Sequence, residues 1–468
     1  MFVLKNQNSL LNISQILHDQ RTYFKSQSTK DVSARIEILK AFRQEILNRE
    51  SDIYKALEAD FKKPKFEAYL SEVGLCILQL DLTIKNLHKW SRPKRVKASL
   101  LNFPSSDYIY HQPYGAVLVI APWNYPFLLS IEPLIMAIAA GNTVVLKPSE
   151  LTANTSQIIE EIVNKICPAS LAAVVQGGIP EATELLEQHW DYIFFTGSTK
   201  VGKIIARAAA QFMTPVTLEL GGKSPCIVDE SVNIKLAAKR IVWGKFLNAG
   251  QTCIAPDFLI VHSKIKDHFI EALKSEILIS YGDNPELSND FARIINSNNL
   301  NRLIDLLNNV KVIHGGTFNR DDHYLSPTLI DEPSLESGIM QEEIFGPILP
   351  IISFNSEEEL DLHLSKLDTP LSLYVFSNRN KFAQRIINKY SFGAGVINDV
   401  LIHFGNHRLP FGGIGRSGMG AYHGKFGFDA FTHQKGIVKK ANWLDIPFRY
   451  RPYKGKLKGL KWMFKWLS

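Results

Sequence analysis

The 468-residue chain is 45% hydrophobic and 21% charged, a composition that excludes a disordered or fibrous protein and allows two or three domains with real cores. Its +7 charge resides in residues 449–468, which carry seven lysines and arginines and no acid, so a basic surface spread over the body for nucleic acid is not expected. Four cysteines, Cys76, Cys167, Cys226 and Cys253, form no CxxC pair, so neither a disulfide framework nor a metal site is expected and the reducing cytoplasm is the expected compartment.

The N-terminal MFVLKNQNSLLNIS lacks the basic, apolar, small order of a secretory leader, and no apolar run is long enough to span a bilayer. Residues 31–90 repeat apolar positions at three and four with charges between them, the helical period. Residues 91–115 turn basic and proline-punctuated, with the alternating SDYIYHQP of an exposed strand or arm. From Gly115 short apolar strands alternate with helices: GAVLVIAPW, TVVLKPSE, LAAVVQGG, DYIFFTGS and PVTLELGG are each followed by a helix or a polar loop. That order predicts right-handed βαβ units and a parallel sheet covered on both faces. A second α/β run follows residue 221, with PCIVD, DFLIVH, ILPIISF, LSLYVFS and GAGVIND as strands. In such sheets ligands bind beyond the carboxyl ends of the strands, where WN, KPSE, TGS and ELGG fall.

Individually these motifs carry two meanings. In FFTGSTKVGK a glycine-containing loop opens a helix whose free N–H groups suit an anion, yet the spacing departs from GxGxxG and equally fits a tight turn. Lys147 and Glu150 of KPSE suit ribose hydroxyls, or a solvated lysine and a capping glutamate. Glu219, a carboxylate in an apolar strand, is either paired or moving protons. Cys253, in NAGQTCIAPD, has small neighbours that leave room for a substrate; taken alone, a thiol is more often a small buried hydrophobe, and only an activated thiolate is a nucleophile.

The motifs PWNYPF, LKPSE, FTGSTKVG, LELGGKSP, NAGQTCIAPD, QEEIFGP and LPFGGIGRSGMG occur in that order over roughly residues 10–440. Together they resemble the aldehyde dehydrogenase superfamily, and specifically its class-3, fatty-aldehyde branch. The resemblance implies an α/β fold: a Rossmann-like parallel-sheet cofactor domain from 1–96 and 116–221, a second α/β catalytic domain from 222–405, a small oligomerisation arm from 97–115 and 432–441, and a basic amphipathic tail from 442–468. It implies oxidation of medium or long aliphatic, or aromatic, aldehydes to acids. Cys253 would form the thiohemiacetal and thioester, Asn124 of PWN would serve the oxyanion hole with the Cys253 N–H, and Glu219 would activate water. A base at position 219 implies a free acid as product rather than a CoA thioester.

For the coenzyme, the resemblance assigns Lys147 and Glu150 to the adenosine ribose, and Thr196, Gly197, Ser198, Val201 and Gly202 to the pyrophosphate loop. Gly221, Glu343 and the adjacent Phe345 fall at the nicotinamide end. A carboxylate at Glu150 favours NAD over NADP, with NADP also possible. Tyr125, His403 and His407 are candidates to line the substrate site, or to serve packing and loops. A coenzyme-free thiol esterase and a non-catalytic protein on the same fold are the competing readings. The resemblance further implies a homodimer joined through the arm. Residues 454–467, read as a helix, put Lys454, Lys458, Lys461 and Lys465 on one face and Leu457, Leu460, Phe464 and Leu467 on another. Such a helix suits a membrane interface, the body of the enzyme or a partner subunit.

Overall fold

A computed structural model describes residues 12–467. Residues 1–11, which hold most of the segment read above for a leader and the start of the expected cofactor domain, and Ser468 of the tail lie outside the described residues. The described residues form an α/β structure with two largely parallel sheets, a three-stranded antiparallel sheet and a two-stranded antiparallel one of Phe318–Asn319 and Tyr324–Leu325. The first sheet runs, edge to edge, Gly418–Met419, Val216–Glu219, Tyr192–Thr196, Ala116–Ile120, Thr143–Lys147 and Ala172–Val174. All pairings are parallel except that of Gly418–Met419 with Val216–Glu219.

Alternation along a strand sends successive side chains to opposite faces. Within Ala116–Ile120, Val117 and Val119 join the main core, while Ala116, Leu118 and Ile120 join a smaller core on the other face. Both faces are therefore covered, which is why the strand reads as an unbroken apolar run. The register aligns Ile120 with Lys147 and Phe195, and Thr196 with Glu219. The carboxyl ends of four strands thus meet at one edge of the sheet.

The second sheet runs Lys311–His314, Thr328–Asp331, Ile348–Phe354, Phe258–His262, Pro225–Val228, Ser372–Phe376 and Ala394–Ile397. The five strands named from sequence are present. Lys311–His314 and Thr328–Asp331 are additional: the first is an exposed antiparallel edge with a register shift, too polar to signal a core strand. After this sheet the chain returns to the first one. Gly418–Met419 pairs there, and helix Gly424–Ala430 packs on the wholly buried helix Leu128–Ala140. The sequence reading assigned 406–431 to no unit.

The arm is a three-stranded antiparallel sheet of Lys94–Val96, Ser105–Pro113 and Thr432–Lys440. The tail helix spans Leu457–Leu467, so Lys454 precedes it rather than lying on its face. Leu457, Leu460 and Met463 face Leu100, Leu101 and Phe103 of the arm across a groove of about 560 Å³. Trp443, Trp462, Phe464 and Trp466 remain exposed. Residues 92–113 and 432–467 together hold fourteen lysines and arginines against two aspartates, more than the +7 excess of the whole chain. The arm thus shares the basic surplus read above for the tail alone, and the remainder is net acidic. Among the described residues no helix is long and apolar enough to cross a membrane.

Asn142 ties three parts of this architecture together. Its fully buried side chain accepts from Gly115 N–H and donates to the carbonyls of Ala137 and Phe431. Asn142→Ala leaves buried backbone groups unpaired and is expected to destabilise the fold by about 2–3 kcal/mol, measured as a lower urea midpoint with an unchanged slope.

Candidate functional site

The site begins with an unusual turn. Helix Ile234–Phe246 ends, and Asn248, Ala249 and Gly250 all take left-handed φ values, 56°, 52° and 74°. Two of the three carry side chains, so the turn is strained and persists only where its surroundings over-determine it. At Gly250 a Cβ would lie 2.3 Å from the Gly346 carbonyl oxygen, which requires glycine there.

The over-determination comes from buried polar side chains. The Glu67 carboxylate accepts from Asn248 N–H at 2.9 Å. Asn248 Nδ2 donates to the carbonyls of Asn124 and Gln251, and Asn124 Nδ2 donates to the same Gln251 carbonyl at 3.0 Å. Gln251 Nε2 donates to Asn248 and Arg293 carbonyls, while its Oε1 accepts from Ile295 N–H. Beneath the PWN loop, Lys63 and Glu72 form a fully buried ion pair at 2.6 Å, and Glu72 accepts from Phe127 and Leu128 N–H at the start of the buried helix.

This frame presents Cys253 at the wall of a cavity of about 280 Å³. Glu219 and Thr196 open onto the same cavity, with Tyr125, Thr252 and Tyr422. The rest of its lining is overwhelmingly apolar, including Leu70, Leu128, Trp243, Leu247, Ile402 and Phe404. Of the residues read from sequence, Tyr125 lines the cavity and bonds Thr252 Oγ1 at 2.6 Å. His403 and His407 do not line it; Phe404 between them does. Asn124 is buried beside the turn and uses one amide N–H on Gln251, with a second to offer.

The electrostatics favour neutral groups. Burial pushes the Cys253 thiol up to about 12, and the Glu343 and Glu219 carboxylates push the same way. Backbone N–H groups of Cys253 and Ile254 act in the opposite direction. Glu219 is held well above the carboxylate range by burial and then by the charge of Glu132, and neither of its oxygens has a hydrogen-bond partner.

A second cleft, of about 250 Å³, adjoins Glu343 and is lined by Thr199, Gly221, Gly222, Lys223 and Arg416. Burial raises Glu343 to about 8. A Cβ at Gly221 would lie 2.2 Å from its carboxylate, so glycine leaves that carboxylate room. Lys223 bonds Asp257 at 2.5 Å and the Ile339 carbonyl, Asp257 accepts from Ile344 N–H, and Phe345 meets Trp123 edge-on at 5.3 Å. At the first sheet's edge Ser198 caps helix Thr199–Ala210 by accepting from Val201 N–H. Gly202 packs where a Cβ would strike Leu220, and the Thr196 hydroxyl is buried without a partner. Lys147 is buried, bonds the Gly177 carbonyl at 2.8 Å and lies 3.5 Å from the half-exposed Glu150. A helix N-terminus, an orphaned hydroxyl, a glycine-made gap and a lysine–carboxylate pair along one edge fit a dinucleotide. Among the described residues no group of three or more His, Cys, Asp or Glu is arranged to hold a metal ion.

Sequence reading missed Lys63, Glu67, Glu72, Gln251 and Asp257. Lys63, Glu67 and Glu72 lie in helix and loop that read as ordinary surface, and Gln251 and Asp257 sit in the motif that carries Cys253 but pair only with residues that the fold brings to them.

Comparison with known proteins agrees with this geometry. The Aldehyde dehydrogenase family profile matches residues 9–437. A Staphylococcus aureus 4,4'-diaponeurosporen-aldehyde dehydrogenase is 48% identical over 455 residues, covering 97% of this chain and 99% of its own. A mouse aldehyde dehydrogenase described as dimeric and NADP-preferring is 42% identical over 430 residues, covering 92% and 95%. The solved structure of a substrate-bound Staphylococcus aureus AldH superposes with a TM-score of 0.95 at 48% identity, covering 97% of this chain and 99% of that one. The chain belongs to the aldehyde dehydrogenase family, oxidoreductases that convert aldehydes to carboxylic acids with NAD(P).

Proposed function

We propose that this enzyme oxidises apolar aldehydes, medium or long aliphatic or aromatic, with Cys253 as nucleophile, Glu219 as hydrolytic base and Asn124 with the Cys253 N–H as oxyanion donors. The observation that carries the proposal is that Cys253 and Glu219 both open onto one apolar cavity. Catalytic groups must converge on one reacting atom, and a long hydrocarbon tail needs an apolar wall.

Cys253 releases its thiol proton to water as its sulfur adds to the aldehyde carbon, and the aldehyde oxygen takes up negative charge. Backbone and amide N–H groups stabilise that charge because the frame fixes them before it forms. Bound NAD(P) supplies the hydride acceptor that turns the adduct into a thioester. Lys147 and Glu150 would hold the adenosine ribose, Thr196 to Gly202 the pyrophosphate, and Gly221, Glu343 and Phe345 the nicotinamide end. Glu219 then removes a proton from water as its oxygen attacks the thioester carbon; the carbon–sulfur bond breaks and the acid departs. The Glu150 carboxylate, half-exposed beside Lys147, supports a preference for NAD, although the mouse relative's name records the opposite choice.

The two sheets support units of 1–96 with 116–221 for coenzyme and 222–405 for catalysis, although strand Gly418–Met419 of the first sheet falls outside both. The arm supports a homodimer, since strand Thr432–Lys440 pairs on one side only and exposes Ile437 and Val438. Four unpaired cysteines support a cytoplasmic setting. Exposed tryptophans among the arm and tail cations support peripheral contact with an anionic membrane.

Three outcomes are expected. Cys253→Ala loses aldehyde-dependent NADH formation by at least about 10³-fold, whereas Glu219→Gln still forms the thioester but hydrolyses it about 10²–10⁴-fold more slowly, read by rapid-quench mass measurement of the acylated chain. With n-alkanals, kcat/KM rises roughly fourfold per added methylene until the cavity is full, as about 0.8 kcal/mol per buried CH₂ requires; a flat series contradicts the apolar-substrate reading. The full chain floats with phosphatidylglycerol vesicles and not with phosphatidylcholine ones, and a chain ending at residue 448 floats with neither.

A further inference from the structure

The apolar wall of the catalytic cavity does not stop at its mouth. Leu70, Trp243 and Ile402 line the cavity and are also 41%, 39% and 53% exposed, so they mark where it opens to solvent. From that opening the apolar surface continues outward. Residues 65–91 form one helix with a wider π turn at Tyr69–Val73, a feature common at functional sites. Leu70 and Leu75 of this helix face the cavity. Phe66, Tyr69 and Leu78, each within a turn of them, lie outside it and are 74%, 52% and 54% exposed. On helix Ile234–Phe246, Leu236 is exposed two turns from Trp243 on the same face. Beyond Ile402, Leu409 is exposed as well. Apolar side chains grouped round one opening mark an interaction surface.

The exposed charges interleaved with them have one sign. The opening is built from residues 65–75, 234–247 and 402–411, whose exposed charged side chains are Lys65, Lys235, Lys239 and Arg408. Arg240, half-buried, pairs with Asp399. The two acids of these stretches are buried: Glu67 accepts from Asn248 N–H and Glu72 pairs with Lys63. Lys235, Lys239 and Trp243 follow one another at intervals of four, a single stripe of cation and ring along the helix.

Rings and cations set among aliphatic side chains suit the headgroup layer of an anionic bilayer. The position of the patch selects that occupant. A protein seated here would close the mouth through which substrate must enter. A fluid bilayer does not, and it is the phase in which an apolar aldehyde dissolves.

We propose that this collar seats the mouth of the cavity on an anionic membrane, so that an apolar aldehyde passes from the bilayer to Cys253 without crossing water. The inference rests on the apolar-substrate reading of the cavity and goes beyond the tail contact proposed above. The tail, with its seven cations, supplies the anchorage. The collar decides which face of the enzyme meets the lipid.

The test uses the full-length chain with phosphatidylglycerol vesicles. A photoreactive benzophenone side chain in place of Leu236 is expected to form an adduct with one phosphatidylglycerol, identified by mass. The same group in place of Met213, which is 91% exposed just before the amino end of strand Val216–Glu219, is expected to form none. No lipid adduct at position 236, or an adduct there with the tail of a second copy, overturns the docking; the latter marks a contact between subunits. The second arm is the triple variant Phe66→Ser, Lys235→Glu, Lys239→Glu. It oxidises butanal in buffer like the parent and still floats through its tail, while hexadecanal held in the vesicles is oxidised about tenfold more slowly. A parent-like rate with hexadecanal overturns the proposal, and so does an equal fall with butanal, which marks a structural role. A flat kcat/KM series with water-soluble alkanals overturns the apolar-substrate reading and the delivery route with it. A rising series without the lipid adduct overturns the docking alone.

Discussion

The left-handed turn at Asn248, Ala249 and Gly250 is the constraint from which the site follows. A chain leaving helix Ile234–Phe246 has cheaper ways to reach strand Phe258–His262. It takes this one because Glu67 accepts from Asn248 N–H, the Asn124 and Gln251 carbonyls accept from the Asn248 side-chain amide, and Gln251 Nε2 donates to the Asn248 carbonyl. Those three come from parts of the chain far apart in sequence, so the turn is formed only when the helical N-terminal region, the first sheet and the second sheet are all in place. The sulfur is thus aimed by the completed fold, not by its local sequence.

The same logic explains the buried charges beneath it. Lys63 and Glu72 are fully buried and within 2.6 Å of each other. Such a pair contributes little net stability, because desolvation offsets its attraction. Its value lies in direction: Glu72 fixes the first N–H groups of helix Leu128–Ala140, and Lys63 sits 4.0 Å over the Tyr125 ring. Asn124 lies four residues before the start of that helix, so the pair also fixes where the proposed oxyanion donor sits.

Much of this was legible in the sequence because it is written locally. Strands covered on both faces read as apolar runs, and their polar ends, Lys147, Thr196 and Glu219, mark where ligands gather. Cys253 and Glu343 were legible through motifs that resemble a known family. What escaped reading depends on pairing across the fold. Lys63 lies in a lysine-rich stretch that reads as solvated surface, and its partner Glu72 cannot be named until two helical segments are placed. Glu132 looks like a lone polar residue in an apolar helix; its neighbour His423, roughly 290 positions away, is named only by the fold. The basic surplus was misplaced for the same reason: Arg92, Lys94, Arg95 and Lys97 join the tail's cations only once strand Thr432–Lys440 is laid beside Ser105–Pro113.

The hydrocarbon lining around Cys253 also bears on the direction of traffic. It welcomes an uncharged chain with a carbonyl at its tip. After oxidation that tip is a full anion, set in largely apolar walls and near the acidic side chains of Glu219 and Glu343. Burying an unpaired carboxylate is far costlier than burying the aldehyde it came from. The chamber therefore ejects what it makes, and the reverse reaction is starved at its first step because the acid has no comfortable place to return to.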